Sequence, residues 1–282
     1  MAITTTPFKT GFDVKPLTVL ANGQVIFTDG TNGLLPNQPQ CEAYGYTYNA
    51  DTNTCSAFKF TPNLVKNFNN ENNKIKGTGN VAESGTNNTY ILGEQNTIKG
   101  LSRNNIVAGN NNQIQNSVNN SFVYGTLGNA TVDNSIVLGG NAIGDLLGER
   151  QVTTLLSGRQ TTDNSTVNSY LNNDGKTLYA ISNNTAMYFQ ADILAIDVTE
   201  GGSYTGSFKS WVERGVVINE SGTLSISRTR TSPASSGTTT GWSPISTVSG
   251  TDYVLTVKGA TGQTVEWVAS IRFTQIKTNV AL

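Results

Sequence analysis

Apolar positions along this chain follow two rhythms. Between residues 72 and 144, single β-branched or aromatic residues recur among asparagines and glycines, and Asn120-Ser-Phe-Val-Tyr-Gly125 returns as Asn134-Ser-Ile-Val-Leu-Gly139. Glycines closing an Ile/Val-x-Gly phrase stand at 93, 109, 125 and 139, spaced 16, 16 and 14 residues apart. Between them lies a second phrase: Asn96-Thr-Ile-Lys-Gly100, Asn112-Gln-Ile-Gln-Asn116 and a weaker Asn129-Ala-Thr-Val-Asp133, with Asn73-Lys-Ile-Lys-Gly77 as an earlier copy. A fixed period of this kind predicts a solenoid of very short strands, turned by Asn and Gly, which tolerate positive φ. The register predicts Ile98, Ile106, Ile114, Val123 and Ile136 pointing inward, with Lys99, Gln113 and Gln115 facing solvent. The regular Ile/Val/Gly placement argues against the other reading of such Asn-rich sequence, disorder.

From Leu178 the rhythm has period two. Met187, Phe189, Ala191, Ile193 and Ala195 form one run, and Tyr253, Leu255 and Val257 another. Val265, Trp267, Ala269, Ile271 and Phe273 alternate with Glu266, Ser270, Arg272 and Thr274. These are half-buried strands, and they predict an antiparallel sandwich or jelly roll. Ahead of the repeat, Leu17–Leu20 and Val25–Thr28 flank the hairpin signal Asn22-Gly23, and prolines at 16, 36 and 39 argue against a helix.

The fold expected is all-β. An N-terminal segment (1–60) precedes a parallel β-roll shaft (61–145), a polar bridge (146–177) and a C-terminal β-sandwich or jelly-roll domain (178–282). Two to four inward apolar side chains per coil bury little surface, so the shaft is expected to pack against copies of itself, as a homotrimer.

Composition narrows the chemistry. Charged residues are 13% of the chain, about half the usual share, and the net charge is −1, so no electrostatic footprint for nucleic acid is present. No apolar run is long enough to span a bilayer as a helix. The first residues lack the pattern of a signal peptide, which leads to the expectation of synthesis and folding in a cytoplasm.

Histidine is absent, which removes Ser-His and Cys-His nucleophile pairs and imidazole metal sites. Glu83, Glu94, Asp133, Asp145 and Glu149 are scattered, with no ladder bringing two carboxylates together as glycoside hydrolysis requires. The expectation is therefore that the chain is not an enzyme and carries no cofactor or metal. Cys41 and Cys55 bound a tyrosine-rich loop. They read as a local disulfide, as two reduced thiols or as a redox or metal site. Trp211, Trp242 and Trp267 are the candidate sugar-stacking rings. Trp267 lies on an apolar strand face, whereas Trp242, in a Thr-Gly-Trp-Ser-Pro loop, is the weak receptor-binding candidate. Ser/Thr-rich 231–240 reads as an exposed loop.

The repeated phrases resemble the head repeat of trimeric autotransporter adhesins, a parallel β-roll in which three chains pack together. The sequence shows neither the heptads of their stalk nor the pattern of their membrane barrel. A roll followed by SGRQTTDNST (157–166) and then GATGQTVEWVASIRFTQI (259–276) is similar to tail-fibre and appendage proteins of tailed bacteriophages. The segment CEAYGYTYNADTNTC (41–55) resembles structural proteins of phages that infect cyanobacteria. These resemblances imply a homotrimeric virion fibre assembled in the host cytoplasm. Its N-terminal segment would dock to another virion structural protein, and its C-terminal domain would meet a host-surface glycan or protein, without nucleic acid or membrane insertion. The alternatives are a capsid-decorating or neck fibre without a receptor role and a polysaccharide-degrading tailspike.

Overall fold

The computed structural model describes residues 14–20, 22–57, 72–140, 144 and 146–279. The chain divides into two units, Met1–Phe68 and Asn69–Leu282. The described part is all-β apart from one short helix.

In the first unit β1 (Lys15–Val19), β2 (Val25–Thr28) and β3 (Gly33–Leu34) form an antiparallel sheet, and β4 (Thr47–Asn49) pairs with β5 (Thr54–Ser56). Between them stands α1 (Gln38–Ala43), in the segment where prolines argued against a helix. Pro39 occupies its first turn, where a missing N–H costs nothing. Asn37 and Gln40 cap it reciprocally, each side chain accepting from the other's backbone N–H at 3.0 Å. Cys41 on α1 and Cys55 on β5 are joined by a disulfide with Cα atoms 5.7 Å apart. The bond lies wholly buried beside Val25 and Phe27, and Tyr44 and Tyr46 present ring edges to Phe27.

The second unit begins with the solenoid. Its strands are β6 (Lys74–Lys76), β7 (Val81–Ala82), β8 (Tyr90–Glu94), β9 (Thr97–Ile98), β10 (Ile106–Asn110), β11 (Gln113–Ile114), β12 (Phe122–Thr126), β13 (Asn129–Ala130) and β14 (Ile136–Gly139). They alternate between two parallel ladders, β6-β8-β10-β12-β14 and β7-β9-β11-β13, so the chain coils through about four turns. Equivalent residues stack in register, as in Gly93, Gly109, Gly125 and Gly139.

The interior is one side chain wide. Ile91, Val107, Val123 and Val137 fill it from one ladder, and Ala82, Ile98, Ile114 and Ala130 from the other. Ile98, Ile114 and Val123 therefore point inward as the sequence suggested, but Ile106 and Ile136 do not: they are 46% and 50% exposed. The inward position is the residue after each of them, because alternation on a strand admits one side chain of the phrase Ile-Val-x-Gly to so narrow a core. Lys99, Gln113 and Gln115 are half-buried rather than turned fully to solvent, and the Gln115 side chain donates to Asn129 at 2.8 Å.

The asparagines that open the second phrase are also interior. Asn80, Asn96 and Asn112 stack: the amides of Asn96 and Asn112 donate to the Oδ1 of the copy before them at 3.0 Å, and the three amides also donate to the carbonyls of Gly93, Gly109 and Gly125, each 13 residues further on. Their Oδ1 atoms also accept backbone N–H groups from Asn96, Asn112 and Gly128. The glycine column is equally constrained: at φ +116° and +121°, a Cβ on Gly93 or Gly109 would overlap the carbonyl oxygen of the next glycine in the stack.

The remaining strands are β15 (Arg150–Thr161), β16 (Thr166–Leu171), β17 (Tyr179–Ala180), β18 (Thr185–Val198), β19 (Tyr204–Glu220), β20 (Thr223–Ser236), β21 (Ser243–Ser249), β22 (Asp252–Lys258) and β23 (Thr264–Lys277). β15 adds antiparallel to the last rung, and the sheet runs on without a break in the order β14-β15-β23-β18-β19-β20. A smaller ladder of β16, β17 and β21 around β22 is attached through β15 and β16. Its Leu171, Tyr179, Tyr253 and Leu255 join one core with Phe189, Trp211, Trp267 and Phe273 of the large sheet.

Two expectations change here. Residues 146–177, read as a polar bridge, contain β15 and β16, whose Thr and Ser residues alternate toward the core. Part of 231–240, read as a loop, is strand up to Ser236.

Two predictions follow from these cores. Asn96→Ala strands the N–H of Asn112 and the carbonyl of Gly109, each at about 1–3 kcal/mol. Chemical denaturation should show a loss of about 3 kcal/mol, against under about 0.5 kcal/mol for Asn116→Ala, an exposed asparagine outside the left-handed backbone region. In the first unit, unreduced peptide mapping should recover Cys41 linked to Cys55. Replacing both with serine should cost that unit about 3 kcal/mol, the chain-entropy value for a loop of about 15 residues.

Candidate functional site

A groove of about 730 Å³ opens where the solenoid meets the antiparallel sheet. Along one edge β15 pairs first with β14, through Gln151–Thr154, and then with β16, through Ser157 and Gly158. Its opposite edge is bonded to β23 throughout. The change of partner leaves a gap, bridged by the turn that follows β16: the N–H of Asn172 donates to Leu156 at 2.9 Å, and its side chain donates to the carbonyl of Asp133 at 3.1 Å. Asn173, at φ +55°, then turns the chain over Gly158, where a Cβ would lie 3.3 Å from the Cβ of Asn173.

Leu156 and Val268 flank the groove, 55% and 47% exposed. Gln160 and Glu266, directly opposite on β15 and β23, pair with each other at 3.2 Å. Arg159 lies against the Tyr170 ring, 5.7 Å from its centroid. Its Nε is buried without a hydrogen-bond partner, and among the described residues no carboxylate pairs with it. Glu266 is the one carboxylate among the described lining residues. The volume falls within the range of small-molecule sites, about 300–1,000 Å³. The apolar flanks lie beside the amide and carboxylate groups on one face of the sheet, whereas Arg159, opposite Trp267, belongs to the other.

A second polar centre is internal. Glu213 on β19 is 1% exposed and accepts from Arg228 at 3.1 Å and from the N–H and hydroxyl of Ser246 at 2.9 and 2.7 Å. Ser246 also bonds Tyr253 at 2.6 Å, and burial pushes that phenol far above its ordinary pKa, so it remains neutral. These bonds tie β19 to β20 and β21 and, through Ser246, to β22, which makes the cluster a structural anchor.

The three tryptophans are core residues. Trp242 is 4% exposed, tilted against Trp267 at 6.2 Å, with its Nε1 donating to Gln263 at 2.9 Å. Its suggested role as a receptor platform is corrected accordingly: the loop folds inward because the indole completes the aromatic cluster with Trp267 and Trp211. Cys41 and Cys55 lie in the first unit and take no part in the groove. Arg159 and the turn at 172–173 escaped the sequence reading, since a partnered and an unpartnered arginine look alike in a sequence. Among the described residues no cluster of three His, Cys, Asp or Glu side chains is placed to hold a metal, and no helix is long and apolar enough to cross a membrane.

No protein-family model matches the sequence, and no curated protein does. Among solved structures the chain is similar to the tailspike protein of Acinetobacter baumannii phage AM24 (13% identity, TM-score 0.29). It is also similar to tailspike gp49 of Acinetobacter baumannii bacteriophage Fri1, described as a capsular polysaccharide depolymerase (10%, 0.30), and to the tailspike of Acinetobacter phage vB_ApiP_P1 (13%, 0.25). Each match takes in 74% of this chain but spans only about half of the tailspike, 48–49%. The description of gp49 as a depolymerase overturns the expectation that the chain is not an enzyme, and that expectation is withdrawn. TM-scores of 0.25–0.30 transfer no activity in its place.

Proposed function

We propose that the protein is a structural component of a tailed-phage appendage, of tail-fibre or tailspike type. In this reading three copies pack with their solenoids side by side, the N-terminal segment attaches to another virion protein, and the C-terminal region meets a host-surface glycan. The phrases shared with phage appendage proteins and with the trimeric head repeat support the class. The outer face of the solenoid carries the assembly.

That face is apolar in two continuous columns. Tyr90, Ile106, Phe122 and Ile136 form one, and Leu92, Ala108, Tyr124 and Leu138 the other, stacked in register on β8, β10, β12 and β14. Six of these eight side chains are between 37% and 57% exposed. Singly scattered exposed apolar residues need no explanation, but a contiguous face marks an interaction surface. The columns repeat with the rungs, so a second copy of the same repeat offers a surface of matching period. A narrow shaft with one interior side chain per strand also gains from such cover the burial that it lacks alone.

Light scattering coupled to size exclusion should give about three times the 30.0 kDa chain mass. Phe122→Asp with Leu138→Asp should drop this to a single chain with its β-sheet signal retained, because both charges land on the covered face while the interior is untouched. A monodisperse wild-type monomer at micromolar concentration removes the proposed assembly. Phage lacking the protein should adsorb poorly to their host; unchanged adsorption favours the decorating-fibre reading. Incubation with host capsule, read for released oligosaccharide, reports whether contact includes cleavage.

A further inference from the structure

We infer that the outer face of the large sheet, over β15, β23, β18 and β19, is a second interchain surface, covered by another copy of this chain. The inference deepens the assembly reading above and rests on it for the occupant, but its observations concern a different part of the chain. An antiparallel sheet with one wet face alternates apolar and polar residues. The inner positions of this sheet supply Phe189, Trp211, Trp267 and Phe273 to the core shared with the smaller ladder. The outer positions are apolar too: Leu156, Tyr188, Leu194, Val216, Val268 and Ile276 are each between 40% and 55% exposed. Residues paired across a ladder share a face. Gly158, Val268 and Leu194 stand in one row on it, and Val152, Thr274, Tyr188 and Val216 in another. A contiguous patch of this kind marks an interaction surface.

Three features identify the occupant as a second copy. The row through Val152 continues to Leu138, and its neighbour passes from Thr154 to Ile136, so the sheet face and the apolar columns of the solenoid form one surface. A copy seated on those columns therefore extends over the sheet without changing side. The face also carries both signs of charge, with Arg150, Arg214 and Arg272 beside Asp192 and Glu266. None of these five forms an ion pair with a described residue. Identical faces that hold both signs can neutralise one another, whereas a polyanion would meet the acids as well as the arginines. Finally, the margin is polar. On β20 the positions sharing this face are Ser225, Ser227, Thr229 and Thr231, which give the apolar centre the hydrophilic rim of a protein interface. The groove beside Leu156 and Val268 opens on the same face, so in the assembly a partner's side chain would fill it.

The test uses the purified full chain, unreduced, with one added thiol read by its rate of maleimide labelling. Cys41 and Cys55 are bonded to each other and do not compete. Val268→Cys and Leu194→Cys should label at least tenfold more slowly than Thr261→Cys, which lies on the exposed turn before β23. In single chains released by Phe122→Asp with Leu138→Asp, all three should label at similar rates. Leu194→Lys with Val268→Glu places opposite charges directly across the β18–β23 ladder, where they can pair within one chain. It should raise the concentration at which the assembly half-dissociates at least tenfold, with the β-sheet signal retained. The inference is overturned if either face thiol labels as fast as the turn thiol, if protection persists in single chains, or if the charged pair leaves dissociation unchanged. Any of these results beside an oligomeric wild type defeats the inference alone. Protected face thiols in an oligomer that survives Phe122→Asp with Leu138→Asp defeat the solenoid contact alone. A wild-type monomer defeats both.

Discussion

The solenoid is governed by the stacking of equivalent residues one β-strand spacing apart, about 4.8 Å. Whatever one rung places inside, the next places directly above it. A buried polar group can therefore bond to its own copy, and asparagine does this because its amide both donates and accepts. Asn80, Asn96 and Asn112 chain in this way and leave their rung carbonyls satisfied as well. A column of charges would instead stack like on like, at about 1 kcal/mol per pair even in water and more against protein. The same stacking excludes a Cβ from the glycine column. The poverty in charge and the wealth in Asn and Gly are thus consequences of the period.

A parallel stack must also end, and an exposed last strand would template further pairing. β15 closes this end by running antiparallel to β14, which converts the repeat into an ordinary antiparallel sheet. The strand is longer than the rung that it covers. Its first part lies on β14, its later part on β16, and β23 accompanies both along the other edge. The groove is the geometric residue of that change of partner. It therefore lies on a strand bonded along both edges, and its walls are fixed by ladders.

Much of this was legible in the sequence, to different depths. The period, the two-phrase rung and the strand Val265–Phe273 were readable because they express a single local rule, alternation or stacking. The placement of Ile106 and Ile136 was not, because Ile-Val pairs satisfy either phase of a strand and only the width of the interior decides between them. Arg150–Thr161 looked like a bridge because Thr, Ser and Gln hide the alternation that a hydrophobicity pattern relies on, although Leu155 does face the core. Trp242 was open to either exposure or burial because its neighbours form a turn, and turn chemistry says nothing of where the turn folds. Arg159 could not have been singled out, since its missing partner is a property of the folded neighbourhood.

A repeat builds surface of one kind. Each rung shows its neighbour's face, so the shaft can offer an extended apolar stripe for matching copies but no distinctive pocket. Distinctive chemistry requires the period to break. In this unit it breaks at Gly139, where the spacing has already shortened from 16 to 14 residues and the next strand reverses direction. Arg159 and Glu266, two of few charges in a chain with 13% charged residues, stand just beyond that point. Across the β15–β23 ladder Glu266 faces Gln160 and Arg159 faces Trp267, so the two charges stand on opposite faces of the sheet, and each face receives its own chemistry where the uniform shaft gives way.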